Sequence, residues 1–412
     1  MKHVCVVRFA VFAAAVLAHS AFAAGSTVPE PFRGFDAASK YTINYDDLDA
    51  LLRKSVVNMG RSDRSEAATT VAKTGTRMKQ HVQVTTANEG NRFYYEIYQD
   101  SDENKQLLHN IRLSLEQVPA EVPLKFFSRD EQLAYWLNLY NVTVLDEIVN
   151  VYPKRSLKKY LTGKKSILSQ KLLNVAGIPL SLDDIEFTIL KQNYDSNPLI
   201  IYGLYQGIIG GPNIRKSAYT GENVYRNLEA NAAEFINSNR GTYSSDPRVF
   251  QVSSLYDRDR AFFGAKFQSE LTAHLMRYIQ GRERGRLQSA SVLKPNINDW
   301  TVTDLYGTNH EIGGSLADNR AALIDAVHSS TLVDGKPVTT FSSIASSNMT
   351  DRATPLRRIS PDLAMHLKEL NMKQQTTASA NASVTVEELG EVKVDDKDKA
   401  ENKDKAGGSD NN

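Results

Sequence analysis

Apolar positions recur along this chain at three- and four-residue steps in several separate blocks, the period of helices with one buried face. Leu48, Leu51, Leu52 and Val56 make the first block, which begins near Tyr45. The strongest opens at Ser128, where Ser128 and Glu131 form an S-x-x-E capping box. Leu133, Trp136, Leu137, Tyr140, Val144 and Ile148 then follow as one stripe that Pro153 stops. In SLDDIEFTIL, Ser181 is placed to cap, Asp183 and Asp184 suit the positive end of a helix, and Ile185, Ile189 and Leu190 turn inward. Further helices are predicted over roughly residues 222–237, closing at Asn239-Arg240-Gly241, over roughly 265–281, and near 317–329.

Two stretches depart from the helical period. RFYYEIY, residues 92–98, reads as a short strand, and LIIYGLY, residues 199–205, as a buried strand bounded by Pro198 and Gly207. Residues 58–92 are polar and punctuated by Gly60, Gly75 and Gly90, which predicts a loop. The predicted fold class is α+β, a helix-rich single large domain with a small sheet, over residues 41–372. Residues 24–40 are an exposed lead-in, and residues 373–412 are too charged and too poor in apolar groups to order.

The amino terminus changes the compartment. Lys2 and Arg8, an apolar run of ten and then Ala21-Phe22-Ala23 make the three-part layout of a signal peptide over residues 1–23. That run is well short of the roughly 20 residues that cross a bilayer, so the expectation is cleavage near Ala23 and a periplasmic or secreted protein without an integral membrane segment. The 412 residues hold one cysteine, Cys5, which would leave with the peptide. Intramolecular disulfides and cysteine-held metals are thereby excluded, and no cysteine nucleophile remains. With 49 basic against 48 acidic residues the chain shows no basic excess that would suit nucleic acid.

Three places could carry chemistry. AYWLNLYN puts Asn138 and Asn141 three apart on a helix beside Trp136, either to brace a loop or to hold a ligand. Asp183, Asp184 and Glu186 gather carboxylates in one turn, which suits capping, acid–base work or a cation. QGIIGGPN brings Gln206, Gly207, Gly210, Gly211 and Asn213 into one loop, where glycines permit either an anion-binding backbone or close packing. It matches neither phosphate-loop pattern, and no local histidine spacing suits a metal. His274, inside ELTAHLMRYI, reads as a core histidine, and no cofactor or metal site is expected.

Four segments together carry a resemblance: AYWLNLYN with its following VYP, IPLSLDDIEFTIL, YGLYQGIIGGPNIR and NDWTVTDLYG. In that order, and with the opening TINYDDLDALLRKSV, they resemble the family catalogued as domain of unknown function 547 over roughly residues 35–305. The resemblance implies no established reaction. Relatives often have a histidine after the LDDIE start and two cysteines in the glycine loop, which invites a papain- or transglutaminase-like comparison by analogy only. Here Phe187, Gln206 and Gly211 stand at those places. The resulting expectation is non-catalytic binding of an envelope component or partner protein. Two alternatives are a hydrolase or transferase acting on envelope polysaccharide or peptide through its carboxylates, and an acidic tail that works while the body positions it.

Overall fold

A computed structural model of the chain describes residues 28–66, 85–86, 89–99 and 101–305, with three short strands beyond them. The predicted signal peptide, the helix near 317–329 and nearly all of the tail lie outside the described residues. The helices that organise the body are α1 (Asp46–Ser55), α2 (Asp102–Glu121), α3 (Arg129–Val151), α4 (residues 182–193), α5 (Val224–Ile236), α6 (Phe267–Tyr278) and α7 (Gly281–Ser289). The fold is a helix-rich α+β domain.

Helix α3 is the axis of the core. Its hydroxyl cap forms as the sequence predicts, Ser128 Oγ accepting from the Glu131 N–H at 3.2 Å. The predicted stripe proves too narrow, because residues on every face of α3 are buried. A helix enclosed all round belongs at the centre of a domain. Helix α2 packs along it through Leu108, Ile111, Leu115 and Val118. The three- and four-residue spacing of those four would have revealed α2, as would its cap, Ser101 Oγ accepting from the Asn104 N–H at 3.2 Å.

The strands are short. β1 (Tyr41–Ile43), β2 (Val56–Val57), β3 (Arg92–Phe93), β4 (Leu173–Val175), β5 (Ile178–Leu180), β6 (Thr242–Tyr243), β7 (Val249–Ser253) and β8 (Val292–Ile297) make small separate sheets. β6, β7 and β8 form the three-stranded one, with β7 antiparallel to β6 and parallel to β8. β2 pairs with β3 and β4 with β5, both antiparallel. β1 takes an antiparallel partner from the tail, Tyr41 opposite Glu388 and Ile43 opposite Val386.

Two strand expectations are corrected. Residues 200–205 are buried and Leu199 partly so, much as predicted, but Pro198–Gly203 is a 3-10 helix. Asn197 caps it by accepting from the Leu199 N–H at 3.1 Å, and Pro198 supplies a preset first turn. A run buried on all sides has no period by which helix and strand can be told apart. In residues 92–98 only Arg92–Phe93 is strand, and Glu96–Gln99 is a helical turn. Tertiary bonds bend that segment: the Tyr94 N–H reaches Ser55 O at 2.9 Å and the Tyr98 and Ser55 hydroxyls meet at 2.8 Å.

Candidate functional site

The two amides of α3 clamp neighbouring backbone. Asn138 donates to Tyr219 O at 2.8 Å and accepts from the Tyr219 N–H at 2.9 Å. Asn141 donates to Gly203 O at 2.9 Å and accepts from the Tyr205 N–H at 2.9 Å. Each amide therefore acts as a strand edge would, satisfying one donor and one acceptor of buried chain. Glu131, about two turns earlier, satisfies two donors, accepting from the N–H groups of Ile43 at 3.1 Å and Gly221 at 2.8 Å. Its carboxylate reaches across to the end of β1 and to the Gly221 turn, where a complete capping box would turn it back onto Ser128. The crevice beside Asn138 and Asn141 has about 10 Å³ of room, about one water.

The glycine loop is held just as closely. N–H groups of Ile209 and Gly210 donate to Thr301 O and Asp299 O, both at 2.9 Å, and that of Gly211 to Ile208 O at 3.1 Å. The Thr303 N–H returns a bond to Gly207 O at 3.0 Å. The QGIIGGPN and NDWTVTDLYG segments are thus two sides of one pairing, with Ile208 opposite Val302. Gly207 has φ +73° and lies under Ile148, while a Cβ on Gly210 would stand 2.6 Å from the backbone nitrogen of Asp299. These two glycines are required by close approach. Their neighbour Gly211 has ordinary space around it, the nearest atoms being 3.4 Å from a Cβ there.

Charged groups buried beneath the loop complete its support. Arg240, fully buried, donates to Gly211 O at 3.2 Å and to Glu234 Oε1 at 2.9 Å, and pairs with Glu89 at 3.4 Å. Asn213 Oδ1 accepts from the Asn91 N–H at 2.7 Å. Burial pulls the guanidinium of Arg92 down to about 10 against the opposing pull of Asp304 and Asp299. Gln206, almost buried, keeps an amide with no bonding partner among the described residues.

The carboxylates of α4 divide into two roles. Asp184 completes a capping box with Ser181: its Oδ2 accepts from the N–H and the hydroxyl of Ser181, both at 2.6 Å, and its own N–H donates to Ser181 Oγ at 3.1 Å. Partial burial opposes its ionisation, but the bonds from Lys171 and Ser181 outweigh that and hold its pKa below the usual value. Glu186 turns inward, is almost completely buried and meets Arg258, which donates to Glu186 Oε1 at 2.8 Å, Asp259 Oδ1 at 2.7 Å and Asp183 Oδ1 at 2.9 Å. Burial, with Asp259 beside it, pushes the Glu186 carboxyl well above the carboxylate range, outweighing Arg258. Glu186 Oε2 and the Tyr140 hydroxyl, both buried, find no hydrogen-bond partner among the described residues.

Phe187 lies under the Arg258 guanidinium, 4.9 Å from its ring centre. Arg258 and Asp259, the groups that complete this cluster, carry no sequence signal; only the fold brings LYDRDR to α4. His274 is a core histidine, as predicted. Its Nε2 meets the Tyr202 hydroxyl at 2.9 Å and its ring stacks on Tyr202 at 5.7 Å. Trp136 is fully buried against Phe32, and its indole N–H finds no acceptor among the described residues. The structure brings Asn141, Gln206, Gly207 and Gly211 into one neighbourhood, while Asp184 and Glu186 belong to a separate cluster with Arg258.

Residues 124–236 match the family described as "Protein of unknown function, DUF547". This stretch is a DUF547 region. It contains α3 with its two clamping amides, the capped helix α4 and the glycine loop, three of the four segments on which the resemblance rests. NDWTVTDLYG lies beyond the matched residues yet pairs directly with the glycine loop of the DUF547 region. No curated protein and no solved structure matches the chain. Among the described residues no helix is long and apolar enough to cross a membrane.

Proposed function

We propose that this protein is exported to the cell envelope, with its signal removed near Ala23, and holds a ligand or partner protein there without transforming it. One observation carries the reading. The amides of Asn138 and Asn141 and the N–H groups of Ile209, Gly210 and Gly211 all bond within the protein, so these five groups support the loop and are not offered to an oxyanion. Gln206 is the motif side chain that keeps an uncommitted amide, and it is the contact we assign. Envelope extract passed over immobilised wild-type chain should yield a component of unaltered mass, and the Gln206→Ala variant should recover less of it. An identical catch from both would remove Gln206 from the site, and a chemically altered product would end the non-catalytic reading.

A second reading has its own support. Glu186, a carboxyl whose proton affinity is raised by burial and by Asp259, beside Arg258 and Tyr140, has the character of a general acid. On that reading the protein is a hydrolase or transferase acting on envelope polysaccharide or peptide. Purified wild-type chain would then release product from such material, and Glu186→Gln would lower the rate by roughly 100-fold or more. No release by the wild type would dismiss it.

A further inference from the structure

One face of α7 carries Arg282, Gly285, Arg286 and Ser289 at three- and four-residue steps and looks onto the loop Ser244-Ser245-Asp246-Pro247. Helix and loop enclose a cleft of about 410 Å³, within the roughly 300–1,000 Å³ of small-molecule sites. Arg286 is preset: one terminal nitrogen donates to Ser244 O at 2.8 Å and to Glu283 Oε1 at 2.7 Å. Its other nitrogens, and all of Arg282, have no partner among the described residues. The charged groups that line the cleft are two arginines and Asp246, and Asp246 Oδ1 already accepts from the Arg248 N–H at 2.8 Å. With Glu283 paired to Arg286, the guanidinium of the cleft that meets no carboxylate among the described residues is that of Arg282.

Gly285 sharpens this. It lies inside a helix without a positive φ, and nothing stands within 4 Å of a Cβ placed on it. A glycine inside a helix costs about 1 kcal/mol relative to alanine, and no packing contact here requires one. Its visible consequence is an open floor between two guanidinium groups. The hydroxyls of Ser244, Ser245 and Ser289 stand around that floor, and that of Ser245 is uncommitted among the described residues.

We propose that this cleft binds a sugar bearing one anionic group, a phosphate or a carboxylate, with Arg282 and Arg286 on the anion and the serines on the hydroxyls. Planar guanidinium groups match either oxyanion, and serine hydroxyls match a polyol. The cleft shares no residue with the glycine loop and does not depend on what Gln206 contacts.

Calorimetric titration of the full chain tests it with four probes: glucose 6-phosphate, glucuronate, inorganic phosphate and glucose. At least one anionic sugar should bind, more tightly than inorganic phosphate, and glucose should give no heat; the tighter of the two sugars identifies the anion. Gly285→Leu, which fills open space, and Arg282→Ala, at an exposed position, should each weaken binding by about tenfold or more with thermal midpoints unchanged or raised. Silence from both anionic sugars, binding that both variants retain, or phosphate binding as tight as either sugar would overturn the proposal. Envelope capture failing while a sugar binds would count against the envelope reading alone, and the reverse outcome against the cleft alone.

Discussion

Gly207 and Ile148 occupy the same space up to the last methyl group: a Cβ on Gly207 would lie 1.9 Å from Ile148 Cδ1. The glycine loop is therefore seated on the last turns of α3, the helix whose Asn141 also ties down Tyr205 just before it. Position and conformation both demand glycine, since its φ is +73°.

Gly207→Ala should destabilise the chain by about 2–4 kcal/mol, from left-handed strain together with overpacking. Ile148→Val removes the clashing methyl and costs about 1 kcal/mol alone. Together the two should lose less than the sum of their separate losses, a coupling that urea denaturation of the two single variants and the double variant will measure. Strict additivity would mean the loop is not seated on Ile148.

A Cβ on Gly211 would lie 3.4 Å from that of Gln206, close to the roughly 3.5–4.5 Å between Cβ atoms of a disulfide. The double variant Gln206→Cys, Gly211→Cys should therefore close a bond in oxidising buffer, read by mass spectrometry before and after alkylation. Free thiols at equilibrium would refute the adjacency. Closure would also show that thiols at these two places sit as a crosslink, which weakens the papain-like analogy.

Arg258 holds Asp183, Glu186 and Asp259 together, so its removal and the removal of one acid should differ sharply. Arg258→Ala should cost about 3–5 kcal/mol by leaving buried acids uncompensated. Glu186→Gln removes a carboxyl whose ionisation burial disfavours and should cost less than Arg258→Ala, about 1 kcal/mol. Because the folded pKa of Glu186 is raised, its contribution is complete below the ordinary carboxyl value and declines as pH climbs toward the raised one. Glu186→Gln should gain on the wild type as pH increases, and denaturation at a series of pH values checks this.

His274 works in the opposite sense. Burial, with Arg277 nearby, lowers its pKa to about 4, against about 6.5 in an unfolded chain. The unfolded state then binds more protons between those values, so stability is complete above about pH 6.5 and falls by up to about 3 kcal/mol as pH drops to 4. His274→Phe should flatten this part of the stability profile. An unchanged slope between pH 6.5 and 4 would assign the acid sensitivity elsewhere.

Much of the molecule is legible in its sequence. The hydroxyl cap at Ser128, the reach of α3 to Val151, the cap at Ser181 and the helices α5 and α6 all follow from local rules, because capping and side-chain spacing act within one or two turns. The family followed too, from motifs lying on those same elements. Tertiary structure alone decided what the motifs do. Whether Asn138 and Asn141 meet a ligand or a backbone, and whether QGIIGGPN is a cradle or a packed seam, depend on partners 60 to 100 positions away. Arg258 beside Glu186 is the same lesson, a pairing across 72 residues that no local pattern announces. Periodicity reports which side of an element is apolar; which polar group waits on the far side of the core is settled only when the chain closes on itself.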